Sequence, residues 1–184
     1  MKIFAVYARV NLTKQPDWLN DFRKKYGKLY DPHITLKQPC FADEEQIESI
    51  KEKLNQFFPI PSFSGHRINI IFNKKVIDNK IEGEACIMIH TDNKEICDLQ
   101  SKIKLLLSEY RNYYEAKREE YENNFKPHIT IASELDSETL LKADSEIGDD
   151  LVCEGIVEEV VLVVAKEKTA EEVSDPKNLT AYHI

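Results

Sequence analysis

The tetrapeptide Pro-His-Ile-Thr occurs twice in this chain, at residues 32–35 and 127–130, and constrains the fold more than any other stretch. Polar and apolar residues alternate in both copies, and this alternation predicts a half-buried β-strand. Side chains two positions apart on a strand share a face, so each copy places one imidazole and one hydroxyl on the same side. A proline is tolerated at the first residue of a strand, where its missing N–H is not needed. The sequence therefore predicts two matched strands, the motif strands.

Hydrophobic periodicity predicts a strand and two helices around the first motif strand. Residues 2–10 read as a strand, and residues 16–28 show the apolar spacing of an amphipathic helix. Asp43 followed by Gln46 three positions later is the pattern of a capping box, so a further helix is expected to begin there. The first half of the chain is thus predicted to run strand, helix, motif strand, helix.

A similar order is predicted for the second half. Residues 67–73 and 84–91 are expected to pair as two strands, and Asp92 with Glu95 suggests a second capping box before an apolar helical stretch. Residues 111–124 are polar and aromatic and fit either an extension of that helix or a loop. After the second motif strand, a short helix, a strand covered on both faces and a terminal strand are predicted at residues 137–144, 156–165 and 180–184.

The recurrence of strand, helix and motif strand predicts two α+β lobes, each of which contributes one motif strand to a shared cleft. No low-complexity linker separates the two halves. Residues 1–184 are therefore expected to form a single bilobal domain with no separable second domain.

Composition narrows the class of protein. The 184 residues carry a formal net charge of −8, which argues against an extended nucleic-acid-binding surface but is compatible with a small anionic ligand in a local basic cleft. The four cysteines are widely spaced without a Cys-x-x-Cys pair, which favours free thiols in a reducing compartment. The apolar run at residues 2–10 is too short for a signal peptide or a membrane span. We expect a cytoplasmic protein that is a monomer and does not bind membranes.

Two histidines placed across one cleft, His33 and His128, suit acid–base catalysis. The reference pKa of histidine is about 6.5, so near neutral pH one imidazole can accept a proton while the other, as imidazolium, donates one. Thr35 and Thr130, on the same faces, can donate hydrogen bonds to anionic oxygens. This set suits in-line displacement at phosphorus, and it requires neither a metal ion nor a cofactor when the leaving group is good. Either histidine can be the base in this interpretation.

Two His-x-Thr motifs about a hundred residues apart on predicted strands resemble the two-histidine (2H) phosphoesterase superfamily, which includes 2′-5′ RNA ligase-like proteins and cyclic phosphodiesterases. The resemblance rests on His33 with Thr35 and on His128 with Thr130. It implies an α+β fold with two pseudo-symmetric lobes, each an antiparallel-rich sheet with helices on its outer face, and an active-site groove between them. It also implies metal-independent cleavage of 2′,3′-cyclic phosphates or 2′-5′ linkages, with the histidines as catalytic residues and the threonines as phosphate ligands. A small nucleotide or an RNA end is then the expected partner.

Further candidates surround the motifs. Lys37 and Lys126 flank them and can steer a phosphate into the cleft, although most lysines are solvated surface residues. Several aromatic residues can either stack on a base or belong to the core, and none is assigned to the site: Tyr7, Tyr30, Phe41, Tyr121 and Phe125.

The other three histidines are not assigned to the site either. His66 is expected at the surface beside Arg67, and His90 at the end of a strand is expected to serve packing or capping. His183 has no evident partner in the sequence pattern.

Two alternative functions remain open at this level. The same groove can bind a phosphorylated nucleotide or RNA end without cleaving it. A metal-assisted hydrolase is the weaker alternative, because two histidines are fewer than the three or four ligands of a usual metal site. The sequence does not determine the physiological substrate or the direction of the reaction.

Overall fold

The computed structural model of the chain describes residues 1–27, 31–58, 67–79 and 84–184. Its strands are, in chain order, β1 (Lys2–Lys14), β2 (His33–Ala42), β3 (Ile68–Phe72), β4 (Lys74–Asp78), β5 (Ala85–His90), β6 (His128–Leu135), β7 (Cys153–Ala165) and β8 (Leu179–His183). Its helices are α1 (Leu19–Tyr26), α2 (Glu44–Phe57), α3 (Lys94–Leu106), α4 (Lys117–Asn123), α5 (Ser137–Ser145) and α6 (Ala170–Ser174). The predicted α+β class is confirmed, and both motif strands, β2 and β6, begin at their histidine.

The first sheet contains β2, β1, β7 and β3 in that order, and β8 also pairs with β7. All of these pairs are antiparallel. The long strand β7 pairs with β3 along its first part and with β8 along its later part. Residues 160–163 of β7 are all buried, as predicted for a strand that is covered on both faces.

The second sheet contains β4, β5 and β6, again in antiparallel pairs. The chain passes from the first sheet to the second at Asn73, whose N–H donates to the carbonyl of His90 over 3.2 Å. The prediction that residues 67–73 pair with residues 84–91 is therefore wrong, because β3 pairs with β7 and β5 pairs with β4. Alternation identifies a strand, whereas its partner depends on tertiary packing that alternation does not report.

The helices that precede each motif strand pack against the opposite motif strand. α1 precedes β2 but contacts β6, whereas α3 and α4 precede β6 and contact β2. The two motif strands also contact each other, and a single hydrophobic cluster includes buried side chains of both sheets. Each half of the chain therefore covers part of the other, and this exchange brings the two motifs together.

A β-bulge follows each motif at the same place. Thr35 and Lys37 of β2 pair with two consecutive residues of the partner strand, so one residue of β2 is left without a partner. Thr130 and Ala132 of β6 pair with two consecutive residues in the same way. The extra residue changes the face on which the following side chain lies. Lys37 and Ala132 are consequently both buried, although strict alternation would place them on the histidine face.

Two helix starts test the capping predictions. The Asp43 side chain accepts a hydrogen bond from the backbone N–H of Gln46, and the Gln46 side chain accepts one from the N–H of Asp43, so the predicted capping box before α2 is confirmed. The box predicted at Asp92 is displaced by one residue. Asn93 caps α3 instead and accepts from the N–H of Ile96 over 3.0 Å.

Residues 111–124 contain a short separate helix, α4, preceded by a non-helical stretch that includes an isolated bridge between Tyr113 and Cys40. Neither a simple extension of α3 nor a continuous loop describes this region. The predicted helix at residues 137–144 is confirmed as α5.

Candidate active site

The two motif histidines are held by the same hydrogen bond. Nδ1 of His33 lies 2.8 Å from the carbonyl oxygen of Asp31, and Nδ1 of His128 lies 2.7 Å from that of Lys126. A carbonyl oxygen only accepts hydrogen bonds, so Nδ1 carries the hydrogen in both rings. The lone pair of each neutral imidazole is therefore on Nε2, which makes Nε2 the atom that can accept or return a proton.

The proline before each histidine accepts the same kind of backbone hydrogen bond, from a residue in the neighbouring strand or directly after it. The N–H of Val10 donates to the carbonyl of Pro32 over 2.9 Å, and the N–H of Thr91 donates to that of Pro127 over 3.0 Å. Proline has no N–H of its own, so its carbonyl ties the start of each motif strand to the sheet. The repeated tetrapeptide thus produces a repeated backbone geometry.

The two imidazoles lie close enough for the charge on one to act on the other. Burial lowers the pKa of His33, the carbonyl of Asp31 opposes this, and the positive charge of His128 lowers that pKa further. Burial also lowers the pKa of His128, and there the carbonyl of Lys126 and the carboxylate of Asp78 oppose it. Both rings are neutral more readily than a solvated histidine, and the pair holds one proton more easily than two.

Thr35 and Thr130 follow the histidines by two residues and precede the bulges, so each shares a face with its histidine. Thr35 is half-buried and Thr130 is exposed. All four site residues predicted from the sequence therefore lie near the starts of two strands that contact each other.

Aromatic and charged side chains surround His33. The ring of Tyr7 lies 4.9 Å from the imidazole, centroid to centroid, and Arg9 is the cross-strand partner of the histidine. Nη1 of Arg9 donates to Oε2 of Glu159 over 2.8 Å. The guanidinium of Arg23, on α1, is a further cause that lowers the pKa of His33.

A cleft of about 510 Å³ adjoins the start of the first motif, where Pro32 lines it. Arg9, Arg23 and Asp31 contribute to its walls. Amide side chains line it as well, namely those of Asn11, Gln15 and Asn20. The cleft is therefore polar and contains charges of both signs, and its volume is in the range of small-molecule sites.

The surroundings of His128 are different. Its cross-strand partner is His90, and the two rings stack with centroids 5.3 Å apart and an interplanar angle of 19°. The carboxylate of Asp78 on β4 raises the pKa of His128 against the effect of burial, and it accepts a hydrogen bond from the hydroxyl of Tyr121 over 3.0 Å.

Comparison with known protein families agrees with this geometry. The family model described as the 2′-5′ RNA ligase superfamily matches residues 12–169, a range that contains both motifs. The chain belongs to this superfamily. Membership confirms the resemblance that the two His-x-Thr motifs indicate.

Individual relatives of this superfamily member are distant or match only in part. A protein of Geobacillus kaustophilus, whose name describes it provisionally as a phosphoesterase, is 44% identical over 52 residues, which cover 24% of this chain and 30% of the relative. Usb1 of Kluyveromyces marxianus is similar in structure with a TM-score of 0.57 and 9% identity, over 99% of this chain and 98% of that chain. Usb1 with uridine monophosphate gives the same TM-score and coverage at 10% identity. At these identities the likeness to Usb1 shows the fold alone.

Lys37, a candidate for phosphate steering, does not line the site of this superfamily member. Its side chain is 0% exposed, and its Nζ donates to the carboxylate of Glu122 over 2.8 Å. The same carboxylate accepts from the hydroxyl of Tyr113 over 2.9 Å and from the backbone N–H of Gln38 over 3.0 Å. The bulge after Thr35 turns Lys37 into the interior, where the ion pair ties β2 to α4.

The five aromatic candidates lie in different places. Tyr7 packs against His33, Phe41 packs against another tyrosine, and Tyr121 uses its hydroxyl to bind a carboxylate. Phe125 packs against the hydrophobic core. Tyr30 lies outside the described residues.

Sequence reasoning missed His90 as a neighbour of the site. Packing, one of the two expected roles, agrees with the structure, and the ring on which His90 stacks is that of His128. The position of His90 was the indication available in the sequence, since His90 ends the strand that pairs with the second motif strand.

The remaining candidates are His183, His66 and Lys126. No partner is evident for His183 in the sequence, but its Nδ1 lies 3.8 Å from Oε1 of Glu159. His66 lies outside the described residues. Lys126 is exposed, and its carbonyl anchors His128.

Within residues 1–27, 31–58, 67–79 and 84–184, no group of three or more His, Cys, Asp or Glu side chains could hold a metal ion. Within the same ranges, none of the helices is long and apolar enough to cross a membrane. The four cysteines are free thiols.

Proposed function

We propose that the chain is a metal-independent phosphodiesterase that hydrolyses 2′,3′-cyclic phosphates or 2′-5′-linked nucleotide or RNA substrates. His33 and His128 are the general acid and base, and Thr35 and Thr130 bind the phosphate. The observation that carries the proposal is the matched Nδ1 anchor, which leaves an Nε2 atom for proton transfer on each of two neighbouring strands. Superfamily membership supports the same reaction class.

The proposed reaction on a 2′,3′-cyclic phosphate needs two proton transfers. A water oxygen attacks phosphorus while Nε2 of one neutral histidine takes the water proton. The bond from phosphorus to one ribose oxygen breaks, and that oxygen takes a proton from Nε2 of the other, protonated histidine. The threonine hydroxyls donate to the non-bridging oxygens, whose negative charge grows in the transition state. The product is a phosphate monoester, and a proton exchanged with solvent restores the pair.

A substrate screen tests the proposal. The purified chain in EDTA is incubated with the four 2′,3′-cyclic mononucleotides and with 2′-5′-linked dinucleotides, and products are identified by mass. We expect turnover of at least one class to a single monoester product, with a bell-shaped dependence of kcat/KM on pH because one histidine must be neutral and the other charged. The double variant H33A/H128A, prepared in parallel, is the control for contaminating enzymes.

The other outcomes identify the alternatives. Saturable binding of a cyclic or phosphorylated nucleotide without product in any condition would replace the enzyme with a binding protein. Activity that disappears in EDTA and returns with a divalent ion would replace the mechanism with metal-assisted hydrolysis. Activity that persists in the double variant would remove both histidines from the reaction.

A further inference from the structure

The two motif histidines have different neighbours at equivalent positions. On the strand that pairs with each motif strand, Arg9 lies opposite His33 and His90 lies opposite His128. The first neighbour is a permanent cation that is paired with Glu159. The second is an imidazole, which can be neutral. The two motifs thus share their backbone anchors and bulges but differ in the side chain opposite the histidine.

His90 is in a place where a positive charge is unfavourable. Its ring stacks on that of His128, and its Nε2 is buried with no hydrogen-bond partner among the described residues. Two imidazolium rings at this separation repel each other, so a state in which only one ring of the stack is positively charged is favoured over one in which both are. Burial, assisted by the charges of His128, Lys126 and Lys74, lowers the pKa of His90 to about 4, and Asp92 opposes the shift. The proton of the stack therefore resides on His128.

Charged groups on other strands and helices also favour a positive charge on His128. The carboxylate of Asp78 stabilises a positive charge on His128. A positive charge on His33 is opposed by Arg23 on α1 and by His128 itself, while Asp31 partly compensates. Apart from Asp31, these charges act in the same direction, in favour of a single shared proton on His128 rather than on His33.

We propose that His90 is a positioning residue that keeps His128 as the protonated member of the pair, so that His128 is the general acid and His33 the general base when substrate binds. This inference rests on the proposed function. In the hydrolysis described above, Nε2 of His33 then takes the proton of the attacking water, and Nε2 of His128 gives its proton to the departing ribose oxygen.

A histidine titration tests the proton distribution without any substrate. The full chain is labelled with 13C at histidine Cε1, signals are assigned from H33A and H128A, and chemical shifts are followed against pH by NMR. We expect His128 to titrate at the highest pH of the three, His33 at a lower pH, and His90 last. A higher titration midpoint for His33 than for His128 would overturn the inference and leave the proposed function intact.

Substitutions at position 90 test the role of the neighbour. H90R places a permanent cation beside His128, as Arg9 lies beside His33, and should lower the His128 midpoint by at least about one pH unit, a tenfold change in its protonation equilibrium. The alkaline limb of the kcat/KM profile, which reports deprotonation of the acid, should move to lower pH with it. H90F keeps an aromatic ring without an ionisable nitrogen and should retain the titration order.

Controls separate electrostatics from damage to the fold. I71R adds the same charge at an exposed position of β3 and should leave both the midpoint and the limb unchanged. Thermal melts show whether each variant is folded, and if H90R is not, H90K supplies the cation. A folded H90R or H90K that leaves the His128 midpoint and the alkaline limb in place would overturn the role of His90. Absence of any turnover with the titration order as expected would instead reject the proposed function alone.

Discussion

The motif strands β2 and β6 are alike in backbone and different in surroundings. Both begin at the histidine of Pro-His-Ile-Thr, both hold Nδ1 of that histidine on the carbonyl two residues earlier, and both bulge directly after the threonine. The residue after the bulge is Lys37 in one strand and Ala132 in the other, and both are buried.

The backbone geometry and the electrostatic surroundings of the two motif strands have different origins. The tetrapeptide and the bulge reproduce a local geometry that presents Nε2 and a hydroxyl together. The pKa of each histidine is instead lowered first by burial and then tuned by groups on other elements, among them Arg23 near His33 and Asp78 near His128. Pseudo-symmetry in the backbone is therefore compatible with unequal roles for the two motifs.

Removal of either motif histidine tests whether the two strands act as one unit. H33A and H128A should each lower kcat/KM on the substrate found in the screen by about 10²–10⁴-fold, since each removes one proton transfer. The double variant should lose little more than the worse single variant, because residues that act together are not additive. H183A, at an exposed histidine of β8, is the control and should keep wild-type activity. If the fold-loss in kcat/KM of the double variant equalled the product of the two single losses, the two histidines would act independently and not in one step.

The residue after the bulge should matter more for stability in β2 than in β6. K37M leaves the buried carboxylate of Glu122 without its cation, and we expect it to lower the free energy of unfolding by about 3–5 kcal/mol, measured by urea denaturation. K37M/E122Q removes both charges and should recover part of the loss. K24M, which removes an exposed lysine paired with Asp21, should cost under about 1 kcal/mol. Equal losses in K37M and K24M would show that the buried pair has no special weight.

The two threonines should contribute similarly if both bind phosphate oxygens. T35A and T130A should each lower kcat/KM by about 10–100-fold, which corresponds to the roughly 1.5–3 kcal/mol of a hydrogen bond to a charged group. The serine variants keep the hydroxyl and should retain most of the activity. T180A, at an exposed threonine of β8, is the matched control. If T130A kept full activity, Thr130 would not bind the phosphate, and the two threonines would have different roles.

The pH dependence of stability should report the ionisation of His90, the half-buried neighbour of the second motif. The pKa of His90 is about 4 in the folded chain and about 6.5 when unfolded, so the unfolded chain binds more protons between these values. His90 thus contributes stability that is complete above pH 6.5 and is lost as pH falls toward 4. Because the ring is partly exposed and solvent screens its charge, the loss per pH unit should stay well below the limit of about 1.36 kcal/mol. Urea denaturation across this range should show a shallower loss for H90F than for wild type.

The control for this smallest effect is H183F, which removes a histidine that is 80% exposed. Its pH dependence should match that of the wild type. An identical slope for H90F and wild type would contradict a neutral His90 in the folded chain.

Prediction from sequence succeeded where the physical cause is local. The motif strands, the capping box of Asp43 and the covered strand β7 follow from alternation, spacing and short-range hydrogen bonds. It failed where the cause is distant. The pairing of β3 with β7 and the burial of Lys37 depend on residues far away in the chain.

The sequence by itself determined that this chain has two strands that each present an imidazole and a hydroxyl, because a period of two is a property of the extended backbone. The tertiary structure alone decided that these strands meet, that a bulge buries Lys37, and that His90 stacks on His128. The physical reason is that burial and charge are sums over neighbours in space. Helices and strands from both halves supply those neighbours, and no short stretch of sequence contains them.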